Sequence, residues 1–329
     1  MQHSQRFCLT SMDMTSQQEA FARDVAQGLA APRKTLPAKY FYDAPGCLLY
    51  ERICTLPEYY PYRAEKDILA TYAAEIHASI GHLALVELGS GTASKTRYLL
   101  AAYEAAARPF VYCPVDIALA PLQAMACTLV PAYPHMTVYA LQADFASDPA
   151  VLWKLPPTGK ALAFFGSSLG NWTPAESQRF LRHLAALMGA EDGLLLGLDL
   201  KKSPAILEPA YADAQGVTAA FNRNLLHRIN RDLGADFRPD TFDHVAFYNA
   251  LEGRVEMHLQ SRLAQQVHIA GTGQVIHFAP GETIHTENSY KYALEDVQAL
   301  GAQAGLHLER TWFDRQQYFL LALLRKVLP

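Results

Sequence analysis

The chain has 329 residues, half of them hydrophobic and 18% charged, enough apolar material for about two domains at roughly 150 residues each. Lys and Arg number 28 against 32 Asp and Glu, and a net charge of −4 carries no electrostatic footprint for nucleic acid or an anionic membrane as partner. The strongly apolar runs, such as 320–324, fall far short of the ~20 residues that span a bilayer, and the first fifteen residues, with Gln2, His3, Gln5, Arg6 and Asp13, show no apolar block of a secretory leader.

Residues 16–30 place apolar side chains at helical spacing, and Pro32 and Pro37 stop that helix. Residues 38–63 are dense in tyrosine, and 64–80 again carry a helical pattern. From residue 83 the texture changes. Short apolar runs at 83–88, 110–115, 137–141, 161–165 and 194–198 alternate with helical patterns at 94–107, 118–128 and 174–188. Runs apolar on both faces and separated by helices predict a parallel sheet covered by helices. Residues 201–275 lose this rhythm, which returns as a helix over 293–304 and strands over 307–313 and 318–324. The pattern predicts an α/β chain in two parts: a sheet domain of 64–200 with 291–329, and a second domain of 16–63 with 201–290, made from the N-terminal segment and a mid-chain insertion.

Cys8, Cys47, Cys54, Cys113 and Cys127 are odd in number and form no CxxC pair, and the histidines include no HxxxH pair. That spacing indicates neither a disulfide framework nor a metal site; free thiols in a reducing cytosol are expected.

The most informative segment is LALVELGSGTASKT, residues 83–96, a strand running into Gly89 and Gly91 with a helix expected from near Ser94. Glycines there let a ligand approach the backbone, and the helix start offers free N–H groups. A P-loop would place Lys95 and Thr96 correctly after Gly89, but its second glycine falls on Ser94, as does the third glycine of a dinucleotide fingerprint. S-adenosylmethionine (SAM) fits best. It calls for an acid in the first strand (Glu87), a GxG turn (Gly89, Gly91), an acid ending the second strand for the ribose hydroxyls (Asp116), and an Asp after the third for the adenine amine (Asp144, beside Phe145). Each of these has a plainer use: Asp116 as a cap before Ala118, Asp144 as a turn cap before Ala146, Phe145 as core, Lys95 as a solvated helix residue.

LPAKYFYDAPG, LPEYYP, ELGSGTASKTR, GSSLGN, AYADAQGVTAAFNRN, RVEMHL and TENSYK run in order through the chain. With them, from about Ala20 to Leu324, it closely resembles the histidine Nα-methyltransferases of ergothioneine biosynthesis. The resemblance implies a Rossmann-like SAM-binding domain with a second, substrate-binding domain. It implies trimethylation of the α-amino group of L-histidine to hercynine, through mono- and dimethyl intermediates; a cytoplasmic location, from the free thiols, and a monomer are the accompanying expectations. It also places SAM on Gly89, Gly91, Lys95, Asp116, Asp144 and Phe145. Tyr42 and Tyr59 would line the substrate site, with Tyr42 as the catalytic candidate. Asn171, which closes GSSLGN, and Tyr211 in AYADA would hold the amino acid's carboxylate, and Gly166, which opens GSSLGN, would join the substrate-binding set. Glu287 and Ser289 in TENSYK would read the imidazole, with Met257 of RVEMHL beside them. Phe221 is added as a further aromatic surface for a methylated ammonium. Without the resemblance, the tyrosines suit half-buried packing, Asn171 suits a cap for the helix near Pro174, Glu287 and Ser289 share a strand face, and Met257 fills core. Two other functions stay open: Nα-methylation of another amino acid such as tryptophan, which Glu287 and Met257 disfavour, and a SAM-binding regulator without catalysis.

Overall fold

The computed structural model describes residues 6–11, 14–156 and 159–327; the composition of residues 1–5 read above and the last two positions of the expected sheet domain lie outside them. In chain order, the elements before the glycine turn are β1 (Phe7–Ser11), α1 (Met14–Ala30), β2 (Lys34–Thr35), α2 (Ala44–Ile53), α3 (Tyr60–Ile80) and β3 (Ala84–Leu88). Then come α4 (Arg97–Ala105), β4 (Phe110–Asp116), α5 (Leu119–Ala132), β5 (Met136–Gln142), β6 (Lys160–Phe164), α6 (Pro174–Leu187) and β7 (Gly193–Asp199). The irregular region holds α7 (Pro204–Leu207), α8 (Val217–Leu233), β8 (Phe242–Asn249), β9 (Arg254–Ser261), β10 (Gln265–Ile269), β11 (Gln274–Phe278) and β12 (Thr283–Tyr290). The chain closes with α9 (Leu294–Gln303), β13 (Leu306–Phe313) and β14 (Phe319–Lys326). Contacts divide it into two compact units, one of Pro61–Lys201 with β1 and the stretch from Lys291, the other of the segment from α1 to Tyr60 with Lys202–Tyr290.

The first unit is built on an eight-stranded sheet in the order β1-β5-β4-β3-β6-β7-β14-β13. β1, β5, β4, β3, β6 and β7 run parallel, and β14 and β13 are antiparallel to their neighbours. Every residue of β3, β6 and β7 is buried, as strands covered on both faces must be. Their alternating side chains feed two apolar layers. One joins Leu85, Tyr112 and Leu195 to Ile68, Leu69 and Ile76 of α3; the other joins Val86, Val115 and Leu196 to Leu181 and Leu184 of α6. This is an α/β Rossmann-like fold. Two features were not in the hydropathy pattern. β1 is a five-residue edge strand with only its alternate residues half-buried, too weak a period to register. β13 and β14 are joined by a short loop, 314–318, which forces an antiparallel pair where the rest of the sheet is parallel. The helix expected from near Ser94 starts about a turn later, at Arg97, after Ala93 in the left-handed region (φ +53°).

The second unit contains a four-stranded sheet, β2-β12-β9-β8, and a β10–β11 hairpin. β8, β9 and β12 pair antiparallel, and β12 is bulged at Thr286, so that His285 lies opposite His258 while Glu287 lies opposite Met257. α8 packs on this sheet and on α2. Asp43 stitches the helices together. It caps α2 through Gly46 N–H at 2.9 Å, accepts Asn224 Nδ2 at 2.7 Å, and pairs with Arg231 at 2.8 Å. No helix among the described residues is long and apolar enough to cross a membrane.

Candidate active site

In the sheet unit, the turn after β3 is shaped by two glycines in the left-handed region, Gly89 (φ +69°) and Gly91 (φ +49°); a Cβ at either would meet nothing within 4 Å. The turn therefore exposes bare backbone to open space. Asp116, ending β4, is 8% exposed and holds the turn's near edge: one oxygen accepts Gly91 N–H at 2.8 Å, the other Ala118 N–H at 2.9 Å. Burial pushes its carboxyl above the ordinary range, and the backbone donors pull it back. Glu87 lies deeper. Its oxygens take the hydroxyls of Thr96 and Tyr112, at 2.6 and 2.5 Å, and burial lifts it to about 7 against those bonds. It fastens the strand, the turn and β4 together and leaves Asp116 as the acid at the rim.

Asp144 follows β5 and accepts Ala146 and Ser147 N–H, each at 3.2 Å, and the Ser147 hydroxyl at 2.8 Å. The turn-capping use is thus real. Phe145, half-buried, packs edge-on against Phe164 at 5.6 Å. Lys95 is no solvated helix residue: it precedes α4, pairs with the fully buried Glu65, and sits over the Tyr62 ring at 5.5 Å.

GSSLGN follows β6. Gly166 (φ +76°) and Ser167 (φ +58°) are both left-handed, and Gly166 N–H donates to both Glu65 oxygens, at 2.8 and 2.9 Å. Asn171 ends a short 3₁₀ turn, Ser168–Asn171. The cap of α6 is Thr173, in a reciprocal box with Glu176, so the capping alternative for Asn171 is overturned.

The second unit assembles the tyrosines. Tyr42 and Tyr50 stand edge to face at 5.6 Å, Tyr42 and Phe221 at 5.8 Å, Tyr50 and Tyr59 at 6.3 Å, and Tyr59 and Tyr211 at 6.2 Å. The chain of rings continues to the sheet, where Tyr211 and Ser289 hydroxyls are 2.7 Å apart and Glu287 lies opposite the buried Met257. Burial first, then the neighbouring phenols, hold the Tyr50 and Tyr59 hydroxyls well above 10, and Glu287 adds to the effect on Tyr59. These are proton-bearing donors at neutral pH. His244 steadies Tyr211 from behind, its Nε2 at 2.7 Å from Tyr211 O and its Nδ1 at 2.9 Å from Asn222. Tyr42, Tyr59, Tyr211, Met257, Glu287, Ser289 and Phe221 are therefore together. Tyr50, in the middle of them, had no individual signal beyond the tyrosine density of 38–63.

On the opposite face of the sheet, Glu256, His258 and His285 bring ligand-type atoms within 4.8 Å of one another. The two imidazoles are stacked at 4.5 Å and 19°, which aims their in-plane lone pairs side by side and not at a common point. Glu256 is already paired with Arg254 at 2.8 Å.

A family profile described as histidine-specific methyltransferase, SAM-dependent, matches residues 21–326. Histidine N-alpha-methyltransferase of Mycolicibacterium smegmatis is 46% identical over 93% of this chain and 94% of its own length. The protein of that name from Mycobacterium tuberculosis is 43% identical over 93% and 95%. A 4-dimethylallyltryptophan N-methyltransferase of Penicillium roqueforti is 29% identical over 90% of each chain.

Proposed function

The chain belongs to the histidine-specific, SAM-dependent methyltransferase family, and from that membership we propose that it trimethylates the α-amino group of L-histidine to hercynine, the first step of ergothioneine biosynthesis. The observation that carries the substrate is the β12 segment, where Glu287, Ser289, Met257 and the Tyr211 hydroxyl form one polar-edged patch. An imidazole donates one hydrogen bond and accepts another; Glu287 supplies an acceptor and Ser289 a hydroxyl that does either. An indole has no second ring nitrogen to satisfy that pair.

The residues around the glycine turn fit SAM: open backbone at Gly89 and Gly91, a carboxylate at Asp116 for the ribose hydroxyls, an ammonium at Lys95, and Asp144 with Phe145 at the adenine end. When bound, SAM supplies a methyl group on a sulfonium that leaves without acid assistance. What this chain must do is hold a neutral amine in line and keep water out. Tyr42 orients the amine and passes its proton toward solvent. Asn171 and Tyr211 take the carboxylate, with Gly166 in the substrate-binding set. As methyls accumulate the nitrogen becomes a bulky cation, and the faces of Tyr42, Tyr50, Tyr59 and Phe221 accept it. On this reading the sheet unit is the SAM-binding domain and the second unit the substrate-binding domain.

The test incubates purified protein with SAM and L-histidine, L-tryptophan or other amino acids, following mass gains of one, two and three methyls. Three successive gains on histidine, and none on tryptophan, are expected. Absence of any gain on histidine overturns the reading.

A further inference from the structure

Glu65 is fully buried, at the start of α3, and nothing in the family resemblance assigned it a role. Its carboxylate makes three connections. It pairs with Lys95 of the glycine loop, and both its oxygens accept Gly166 N–H, at 2.8 and 2.9 Å. Tyr62, three residues earlier on the same helix, reinforces the first contact by donating to Ser94 Oγ at 3.0 Å and lying under Lys95. Room for the carboxylate is made by Gly197 of β7, where a Cβ would fall 2.0 Å from Glu65 Oε1.

This is an expensive way to fill core. Taking a carboxylate and an ammonium out of water is costly, their attraction repays it only with good geometry, and apolar residues of equal volume are often as stable. What the pair achieves that apolar packing does not is registry. One rigid group fixes the loop bearing Lys95 against the left-handed turn that opens GSSLGN. On the functional reading above, the first holds the methyl donor and the second belongs to the substrate-binding set. We propose that Glu65 is a positioning residue for methyl transfer, acting through Lys95 and Gly166 and touching neither reactant.

The proposal rests on that reading for its acceptor half; its donor half rests on SAM alone, so the test has two arms. E65Q keeps the shape and removes the charge; E65D keeps the charge one methylene short. Affinity for S-adenosylhomocysteine is measured by calorimetry and kcat and KM per folded molecule, with thermal unfolding giving the folded fraction. E65Q is expected to weaken S-adenosylhomocysteine about tenfold, the loss of one charge-assisted contact. Its kcat should fall on the order of 100-fold, as a misplacement near 1 Å produces. E65D is expected to recover most of the affinity while kcat stays roughly tenfold or more below wild type, since it reaches Lys95 but not Gly166. A purely structural Glu65 would lower the unfolding temperature and leave per-molecule kcat and affinity unchanged in both variants, and that result overturns the proposal; if E65Q is not recovered folded, E65D decides alone. Should wild type fail to methylate histidine, the functional reading falls while the affinity arm still reports on Lys95.

Discussion

On the proposed function Glu287 serves recognition and Tyr42 chemistry, and their variants should separate in kinetics. Glu287→Ala removes an ionic acceptor for the imidazole N–H, so KM for histidine should rise on the order of 100-fold with kcat within a few-fold of wild type. An unchanged KM and an unchanged preference for histidine would remove Glu287 from recognition. Tyr42→Phe keeps the ring that packs on Tyr50 and Phe221 and deletes the hydroxyl. Turnover should fall by about 100-fold for each methylation while SAM affinity stays put; equal rates for all three would take Tyr42 out of the mechanism. At this scale the GxG turn, Asp116 and Asp144 were legible in residue type and order, whereas the TENSYK pair, Tyr42 and Tyr59 came only through the family resemblance. Tyr50 and Glu65 came through neither. Tyrosine density gives no direction to any one ring, and a Glu in a helical pattern reads as solvated face until Gly197, far along the chain, is seen to leave it a socket.

At the scale of elements, β12 shows why spacing alone is an incomplete guide. Period-two alternation puts His285, Glu287 and Ser289 on one face. The bulge at Thr286 breaks that series, sending His285 onto His258 and keeping Glu287 and Ser289 with Met257 and Val255. Nothing in HTENSY announces the extra residue; Thr286 is held by its hydroxyl on Met257 O at 3.0 Å, a contact across strands. The motifs YFYDAPG and AAFNRN were legible as motifs but not as structure. Their meeting point is Asp43, whose bonds to Gly46, Asn224 and Arg231 join α2 to α8 beside Tyr42. Asp43→Ala loses a helix cap and leaves Asn224, 6% exposed, short of a partner, so chemical denaturation should show a loss of about 2 kcal/mol or more. Stability within about 0.5 kcal/mol of wild type would mean that the α2–α8 junction is held by ring packing of Phe41 on Phe221 and not by this carboxylate.

For the whole molecule, the parallel sheet was readable because its strands are apolar on both faces, whereas the second unit, with half-exposed strands and an irregular entry, has no comparable period. Two buried carboxylates, one in each unit, set opposite pH dependences. Glu256 is held down to about 2: burial alone would raise it, but bonds from His258, Arg254 and Asn249 prevail. Its contribution is present above the unfolded value near 4.5 and is lost as pH falls toward 2. Glu87 is the reverse case, pushed by burial from 4.5 to about 7. Below 4.5 both folded and unfolded chains carry its proton; between 4.5 and 7 the unfolded chain gives it up first, so the folded state loses ground as pH rises. The full loss is on the order of 3 kcal/mol, complete a little above pH 7. Glu87→Gln carries no such proton and should abolish this slope. All three tryptophans, Trp153, Trp172 and Trp312, lie in the sheet unit, so their fluorescence in urea titrations reports the relevant unfolding. The wild-type curve should decline relative to Glu87→Gln from pH 4.5 to 7.5 and run parallel above it. Parallel curves across the whole range would show that Glu87 ionises in the folded sheet as readily as in the unfolded chain, and that the Thr96 and Tyr112 hydroxyls fully compensate its burial.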